Sequence, residues 1–402
     1  MTSVSAKYIK FIQTGLDLNE VESATEELEN ENSGSFLGLI KKICIHEKTG
    51  VEHRLVLKIA PRDPAIRVAR PIALAFNREY EIYSKILPEL ENFQTLHKIS
   101  APFTGYARFY GGSIQEGDET ILMEDLSFKG FKCHNEYDGM NFKHMSLMFE
   151  EYAKLHAASL ALGYKDPGKF KELTASLEQN IFQIREAKNP ERYNLLRQTV
   201  TEMGKRAIKS NKQAERAHKK FTELFPDFWK NYTGNPEKEI LVISHGDCHP
   251  NNMLFAYKNE VNVDPKKICF IDWQLSSKET PIHDLSFALC GCASKEALSR
   301  IDDLFGIYHK TLAQNLREFG CNPEKIFSYE DFHEHWKRHF LYGLYRGQMT
   351  LKLILMSPRQ KQEAAKFPSI LDILANDSLS NPTFTQRMQD LFEILGERWL
   401  KH

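Results

Sequence analysis

Two short polar segments, each following a run of apolar residues, contain side chains that could carry out chemistry. The first is His245-Gly-Asp247, followed five residues later by Asn252, and the second is Asp272. Carboxylate and amide oxygens are the ligands with which proteins hold Mg²⁺ on nucleotide phosphates. A further carboxylate can orient an attacking hydroxyl group or accept its proton. The spacing therefore predicts Asn252 and Asp272 as metal ligands and leaves Asp247 for the reacting hydroxyl group.

A lysine in an apolar segment extends this set. Lys58 lies within residues 55–59, where an unpaired ammonium group would be unfavourable. A predicted helix over residues 73–87 offers Glu79 and Glu81 as partners. Because a lysine held by a glutamate can bind ATP phosphates, Lys58 is predicted to belong to the same site.

Each feature also has a simpler interpretation. Asp and Asn are common turn residues, and a strand lysine can reach solvent from the edge of a sheet. The combination of H-x-D-x-x-x-x-N, a later I-D-W and a lysine inside an apolar strand favours the catalytic interpretation.

The segments before residue 126 predict a small sheet with one prominent helix. β-Branched and large apolar residues over 35–45 and 52–59, separated by a glycine-containing turn, indicate antiparallel strands. The helix over 73–87 is expected to end at Pro88. Acid-rich residues 17–31 are interpreted as a solvated helix or arm.

From about residue 140 the pattern becomes helical. Helices are predicted over 143–162 and over 170–230, the latter broken at Pro190 and Gly204, and again from 284 to 402. Strands are predicted at 240–243 and in a hairpin formed by 252–255 and 267–271. The fold class is therefore α+β.

The set Lys58, Glu79, His245-Gly-Asp247 with Asn252, and Ile-Asp272-Trp resembles the protein-kinase-like small-molecule phosphotransferases. These include aminoglycoside phosphotransferases, choline kinases and, above all, the ecdysteroid kinase-like (CHK) family. The resemblance spans about residues 30–370 and extends to further motifs, which are Phe76-x-x-Glu79-x-x-x-Tyr83, Met123-Glu-Asp-Leu, Asn252-Met-Leu-Phe and Asp284-Leu-Ser-Phe.

The resemblance implies a bilobal protein-kinase-like fold. It places an N-lobe at residues 1–126, with an antiparallel sheet and one main helix. It places a large, mostly helical C-lobe at residues 127–402, with a helical insert at about 165–235. The implied function is an ATP- and Mg²⁺-dependent phosphotransferase acting on the hydroxyl group of a small molecule, such as an ecdysteroid or a hydroxylated xenobiotic.

The resemblance also implies roles for individual residues. Lys58 and Glu79 would clamp ATP, Asp247 would be the catalytic base, and Asn252 and Asp272 would bind Mg²⁺. A glycine-poor loop around Ser35 would cover the nucleotide. Adenine would be held by the backbone of a hinge, whose residues are Met123, Glu124, Asp125 and Leu126.

Two residues are expected to support the site. His245 is expected to order its loop through hydrogen bonds rather than to transfer protons. Asp284 is expected to cap the helix that follows it and to steady the catalytic loop.

One helix in the C-terminal part carries both aromatic residues and histidines. Trp336, Phe340 and Tyr345 are interpreted first as core residues, with the wall of an acceptor pocket as the alternative. His335 and His339, four residues apart, could bind a metal ion, but without an H-E-x-x-H pattern or a nearby cysteine we favour ordinary histidines.

Composition excludes several classes of function. The 402 residues include 53 Lys and Arg against 54 Asp and Glu, a net charge of −1, so no nucleic-acid or membrane partner is expected. Neither a signal peptide nor a membrane-spanning segment of about 18 apolar residues is expected. Seven scattered cysteines without a C-x-x-C pair favour a reducing, cytoplasmic location. The oligomeric state stays open.

Three hypotheses follow. The first is a kinase of small alcohols. The second is a catalytically inert kinase-like protein that binds or carries a lipophilic ligand. The third, a metallohydrolase built on His245, Asp247 and His249, ranks last because it leaves Lys58 unexplained.

Overall fold

A computed structural model describes residues 2–4, 6–18, 21–27, 38–134, 139–231, 239–258, 264–367 and 369–400. Ser35 and its loop lie outside these residues. In the described part, a six-stranded antiparallel sheet forms the N-terminal region and helices dominate the rest of the chain. The predicted α+β class is confirmed.

The N-terminal sheet has the strand order β1-β2-β3-β4-β6-β5. These strands are β1 (Thr2–Ser3), β2 (Val21–Glu27), β3 (Leu39–Glu47), β4 (Glu52–Ile59), β5 (Phe109–Ser113) and β6 (Thr120–Glu124). Strand β4 is central, because it pairs with β3 on one side and β6 on the other. Lys58 stands opposite Ile40 and Ile121 in this register, so it does not reach solvent from a sheet edge.

The acid-rich segment is a strand, so its interpretation as a helix or arm is wrong for the described residues. Strand β2 pairs with β3, and Glu26 forms an ion pair with Lys41 at 2.6 Å. Val21 and Ala24 pack against the buried core on one face of the sheet. The helix of this region instead precedes β2, as α1 (Ala6–Leu16).

The predicted helix over 73–87 is present but does not end at Pro88. Helix α3 (Ile72–Glu81) leads through a π-helical turn (Ile82–Ile86) into α4 (Leu87–Leu96). A short helix, α2 (Pro64–Ala69), precedes them. Pro88 lies in the first turn of α4, directly after the π-helical turn.

Two small sheets lie within the C-terminal region. Strands β7 (Phe131–Cys133), β9 (Met253–Tyr257) and β10 (Pro265–Phe270) form one, and the β9–β10 pair is the predicted hairpin. Strands β8 (Val242–Ser244) and β11 (Ser277–Glu279) form the other. Because β7 already pairs with β9, the chain joins the C-terminal region soon after residue 126. The exact lobe boundary stays a prediction.

Helices fill the remainder of this region. They are α5 (Phe142–Lys165), α6 (Pro167–Leu173), α7 (Ile181–Lys188), α8 (Pro190–Ala207), α9 (Lys212–Asn231), α10 (Pro281–Cys292), α11 (Lys295–Ser299), α12 (Ile301–Glu318), α13 (Pro323–Ile326), α14 (Tyr329–Ile354), α15 (Pro358–Ala364), α16 (Ile370–Ala375), α17 (Pro382–Leu391) and α18 (Glu397–Trp399). Within the described ranges, no helix is both long enough and apolar enough to cross a bilayer.

The break predicted at Gly204 is wrong, because this residue lies inside α8. A Cβ atom there would stand 2.0 Å from Oε1 of Gln348, so the glycine permits close packing against α14. The chain leaves the helix only after Ala207.

Helices α10 and α14 cross in close contact beside the loop between β8 and β9, which α10 contacts through Asp284 and α14 contacts through Arg346. A Cβ atom on Gly343 would lie 2.3 Å from the carbonyl carbon of Ser286, and one on Gly347 would lie 2.5 Å from Cβ of Cys290. The two glycines therefore allow the backbones to approach, and a methyl group at either position must push the helices apart.

This crossing gives a stability prediction. Gly343→Ala is expected to lower the free energy of unfolding by about 1–3 kcal/mol, because it overpacks the crossing. The control is Gly306→Ala on α12, where a Cβ atom meets nothing within 4 Å. That change should be neutral or stabilise by up to about 1 kcal/mol. Urea unfolding of both variants measures the difference, and equal effects would contradict the close crossing.

Candidate active site

Lys58 connects the N-terminal sheet to the C-terminal region. Its Nζ atom lies 2.5 Å from Oε2 of Glu79 on α3 and 2.6 Å from Oδ1 of Asp272, which follows strand β10. Only 3% of Lys58 and 1% of Glu79 is exposed. Glu81 is not among the ion-pair partners of Lys58, so Glu79 is the glutamate that the structure brings to the lysine.

Burial and charge act against each other in this cluster. Burial opposes the ammonium form of Lys58, but the charges of Asp272 and Glu79 prevail and raise the pKa of Lys58. Burial also raises the pKa of Glu79, and the charge of Lys58 offsets this only in part. The cluster therefore holds a firmly charged ammonium group between the carboxyl groups of Glu79 and Asp272.

Asp272 is held in an uncommon backbone conformation. Its φ angle is +66°, in the left-handed region that residues other than glycine seldom adopt. Its Oδ2 atom accepts a hydrogen bond from Nε2 of Gln274 at 3.2 Å, while Oδ1 faces Lys58. Strain of this kind persists where the surrounding structure imposes it, often at functional sites.

The loop between β8 and β9 is organised by the buried carboxylate of Asp284. The backbone N–H groups of His245 and Gly246 each donate to it at 2.8 Å, and Sγ of Cys248 lies at 3.2 Å. His156 approaches the same carboxylate at 3.3 Å. Burial raises the pKa of Asp284, but the hydrogen bond and charge of His156 outweigh it and the net direction is downward.

The predicted helix cap at Asp284 is wrong. Helix α10 begins at Pro281 and its N-cap is Thr280, whose side chain accepts from the N–H of Ile282. Asp284 lies in the first turn of the helix and faces the loop instead. Since this carboxylate accepts two loop amides, the geometry agrees with the other expected role, that of steadying the loop.

Gly246 allows the loop to turn at this point. Its φ angle is +79°, and a Cβ atom would stand 2.3 Å from the carbonyl oxygen of Leu275. His245 holds the same turn from its side chain. Its Nε2 lies 3.0 Å from the carbonyl oxygen of Ile271, and its Nδ1 lies 3.3 Å from the backbone nitrogen of Asp247. Burial lowers the pKa of His245, and a neutral ring satisfies both contacts.

Asp247 and Asn252 are in direct contact. The side-chain amide nitrogen of Asn252 donates to the backbone oxygen of Asp247 at 3.1 Å and to its Oδ2 at 3.2 Å. This leaves the amide oxygen of Asn252 for other ligands. The backbone oxygen of Asn252 accepts from the N–H of Ile271 at 3.1 Å, so the loop is tied to the residue directly before Asp272.

The carboxylate of Asp247 is surrounded by cationic groups. His249 lies 3.5 Å from its Oδ2, and an Nη2 nitrogen of Arg346 lies 3.4 Å from its Oδ1. Although burial favours the protonated form, these charges lower the pKa of Asp247 to about 2. Conversely, burial opposes protonation of His249, but Asp247 raises its pKa. Asp247 is therefore a carboxylate throughout the physiological range.

Arg346 is a site residue that the sequence analysis missed. It lies on α14, and its guanidinium carbon lies 4.4 Å from the ring centre of Phe182 and 4.5 Å from that of Phe287. Only 8% of the residue is exposed. The sequence did contain a signal, since an arginine within the apolar run 340–347 must find a partner when it is buried.

A second buried arginine ties α3 to the segment that precedes α7. Arg78 donates to the backbone oxygens of Ser176 and Gln179 at 3.1 and 2.8 Å. Burial lowers the pKa of Arg78 to about 10. At the end of the same segment, Asn180 donates to Glu279 of β11. The segment after residue 173 therefore contacts both α3 and strand β11, which pairs with β8.

The predicted hinge begins with the last two residues of strand β6, Met123 and Glu124, and continues beyond the strand. The backbone N–H groups of Glu124 and Asp125 donate to the carbonyl oxygens of Arg108 and Arg54. The Asp125 carboxylate accepts from the N–H and hydroxyl groups of Ser127. Among the described residues, none accepts a hydrogen bond from the N–H of Leu126.

The three aromatic residues predicted for the core or an acceptor pocket have core contacts. Trp336 and Phe340 pack in tilted contacts against Trp399, at ring-centre distances of 5.6 and 5.8 Å. Tyr345 stacks on Phe225 at 5.0 Å. All three are at most 5% exposed. These contacts agree with the interpretation that the sequence favoured, and a part in an acceptor pocket stays untested.

A model of the ecdysteroid kinase-like family matches residues 32–321, which is well over half of the chain. The matched range includes Lys58, Glu79, Asp247, Asn252 and Asp272.

The chain belongs to the ecdysteroid kinase-like family.

No curated protein matches the chain. Among solved structures, one neighbour is a variant of aminoglycoside 2′-phosphotransferase IIIa in its GDP complex, with 12% identity and a TM-score of 0.39. That match covers 92% of this chain and 96% of the other. Another is a glucosamine kinase, with 10% identity, a TM-score of 0.34 and coverage of 93% and 84%. With TM-scores below 0.5, these two similarities carry no information about the function of this protein.

The environment of Asp247 predicts how stability depends on pH. A carboxylate whose pKa is lowered on folding stabilises the folded state above its unfolded pKa and loses this effect as pH falls through the folded value. With a folded pKa of about 2, the contribution of Asp247 should decline by about 2 kcal/mol between pH 5 and pH 2. Urea unfolding of wild type and Asp247→Asn across this range should show the wild type losing that much more. Parallel profiles would contradict the assigned environment.

Proposed function

We propose that this protein is an ATP- and Mg²⁺-dependent phosphotransferase that phosphorylates a hydroxyl group of a small molecule. Family membership supports the coarser statement, a small-molecule phosphotransferase. The observation that carries the finer proposal is Lys58, whose buried ammonium group contacts Glu79 from the N-terminal region and Asp272 from the C-terminal region. A lysine fixed in this way is suited to hold nucleotide phosphates beside a metal-binding carboxylate.

The residues around Lys58 suit Mg²⁺ as a cofactor. Asp272 and the amide oxygen of Asn252 are hard oxygen donors, and the amide nitrogen of Asn252 is already engaged by Asp247. We propose these two residues as the Mg²⁺ ligands. When bound on ATP, Mg²⁺ supplies charge neutralisation for the phosphates.

The hinge suits adenine in two respects. Leu126 has a backbone N–H without an acceptor among the described residues, and its side chain is buried. Met123, on strand β6, is also buried and belongs to the core at this point. We propose that the N–H of Leu126 donates to the adenine ring, while Glu124 and Asp125 fix the hinge through their bonds to Arg108 and Arg54.

Asp247 is proposed to act on the acceptor hydroxyl group. A carboxylate with a pKa of about 2 is a weak base, so its main work is to orient the hydroxyl group. It takes the proton only as the oxygen forms its bond to phosphorus. His245 and Asp284 position Asp247 through the loop backbone, and Arg346 positions its carboxylate directly.

The surroundings of Asp247 favour an acceptor with apolar surface. The guanidinium group of Arg346 lies between the rings of Phe182 and Phe287, with Tyr342 nearby. Aromatic rings beside one charged pair are a chemical environment that suits a flat, hydroxyl-bearing molecule. An ecdysteroid or a hydroxylated xenobiotic has this character. The predicted cytoplasmic location, and the absence of nucleic-acid and membrane partners, stay predictions beside this proposal.

The proposal predicts separate effects for two substitutions. Asp247→Asn should lower kcat by about 10²–10⁴-fold while MgATP binding persists, because it removes only the group that acts on the acceptor. Asp272→Asn should also weaken MgATP binding, because it removes a metal ligand. ATP turnover with a panel of alcohols measures the first effect, and titration calorimetry with MgATP measures the second. The exposed Asp303→Asn on α12 is the control.

The alternative, an inert carrier of a lipophilic ligand, makes opposite predictions. A carrier should show a thermal shift with sterols and none with MgATP, since ligands stabilise only the states that bind them. Turnover that survives both aspartate substitutions would reject the proposed mechanism.

Arg346 allows a sharper test of acceptor positioning. Arg346→Gln is expected to lower kcat/KM for the acceptor by about 10–100-fold, because Asp247 loses its neighbour and Phe182 loses its contact. KM for ATP should stay unchanged. Lys337→Gln, an exposed substitution on the same helix, should leave both constants unchanged. An equal loss in ATP binding and acceptor turnover would indicate general damage rather than positioning.

A further inference from the structure

A cluster of three metal-ligating side chains lies outside the proposed active site. His335 and His339 are four residues apart on α14, so they share one face of the helix. Glu239 comes from the chain just before β8 and reaches both of them. One ligand atom from each residue lies within 4.8 Å of the other two.

The distances suit a tetrahedral ion. Nδ1 of His335 lies 3.6 Å from Oε2 of Glu239, and Nε2 of His339 lies 2.9 Å from the same oxygen. Zinc binds imidazole nitrogen and carboxylate oxygen at about 2.0–2.1 Å, which places neighbouring tetrahedral ligands about 3.4 Å apart. Small shifts of these side chains would therefore surround such an ion.

Ion pairing alone does not explain the cluster. Among the residues that the structure describes, none forms a hydrogen bond with Nδ1 of His335, although this residue is only 4% exposed. Burial disfavours the protonated rings, so it lowers the pKa of His335 to about 4 and lowers the pKa of His339 as well. Neutral imidazole is the form that binds metal ions.

Arg338 supports this arrangement. Its guanidinium group donates to Oε1 of Glu239 at 3.1 Å, which fixes the carboxylate and leaves Oε2 turned toward the two histidines. Partners of this kind orient the ligands of a metal site. A second group that could ligate a metal, Cys44, His46 and Glu52, has no comparable enclosure, because the His46 and Glu52 side chains are about 40% exposed.

We propose that Glu239, His335 and His339 form a binding site for a divalent zinc-type ion, with water as the fourth ligand. The site joins helix α14 to the chain that enters β8 and the catalytic loop. Arg346 lies two turns beyond His339 on the same helix. The ion therefore fixes α14 relative to the loop that carries Asp247, and it does so whether or not the chain transfers phosphate.

The test uses the full-length, untagged protein in excess Mg²⁺. Mg²⁺ occupies oxygen sites such as Asp272 and competes poorly for imidazole ligands. Addition of ZnCl₂ should give one equivalent of bound zinc by metal analysis after desalting. The unfolding midpoint should rise by about 3 °C at saturation. Co²⁺ in place of zinc should give the visible absorption bands of tetrahedral coordination.

Substitutions localise the binding. His339→Gln and Glu239→Gln should each abolish the bound equivalent, the thermal shift and the cobalt bands, while His333→Gln, on the same helix but outside the cluster, should keep all three. Asp272→Asn should also keep them. If one cluster variant fails to fold, the other gives the comparison, and circular dichroism checks both. Zinc that stays bound to a folded cluster variant, or wild type that binds no zinc, overturns the proposal.

Discussion

A buried ammonium group must be neutralised, and in this protein that requirement connects the two halves of the chain. Lys58 stands on the central strand of the N-terminal sheet, where water cannot compensate its charge. Its two counter-ions are Glu79 on α3 and Asp272 after β10. Asp272 lies 214 residues after Lys58 in the sequence. Without Asp272, the lysine and Glu79 would still pair, but the ion pair that joins the sheet to the loop after β10 would be lost. The cluster also keeps the three groups within reach of one another before any ligand is bound.

A second buried charge plays the same part within the C-terminal region. Asp284 accepts two consecutive backbone amides of the loop that carries Asp247, and His156 supports it from α5. Removing such a carboxylate would leave buried donors unsatisfied, which is far more unfavourable than losing an exposed hydrogen bond. Asp247 and Asp272 thus lie on irregular backbone, yet each has a buried partner on a regular element, which is Arg346 on α14 for Asp247 and Lys58 on β4 for Asp272.

The sequence predicted the parts of the site that local chemistry marks. A lysine in an apolar strand, an acid after a strand, and the H-x-D-x-x-x-x-N segment are visible without a structure, as is the hairpin that separates Asn252 from Asp272. The features that could not be predicted from the sequence depend on contacts between segments that are distant along the chain. The acidic residues of β2 lie in a strand that pairs with β3, where Glu26 stands opposite Ile43 and forms an ion pair with Lys41. Gly204 allows close packing instead of ending a helix. Arg346 and Glu239 acquire their neighbours only when α14 is in place, and neither spacing nor composition records that placement. The predicted roles of the individual site residues stay predictions, whereas their proximity is now described.

The hydrogen bonds of Arg78 have a mechanical consequence. Its guanidinium group joins α3, which also carries Glu79, to the backbone at residues 176 and 179, close to Phe182 beside Arg346. If the sheet and α3 rotate as a unit, they must either break these bonds of a buried arginine or pull the segment along. Movement of α3 and Lys58 would then be transmitted by the side chain of Arg78 to the residues beside Asp247. Closure around a bound nucleotide would in this way change the shape of the site for the acceptor.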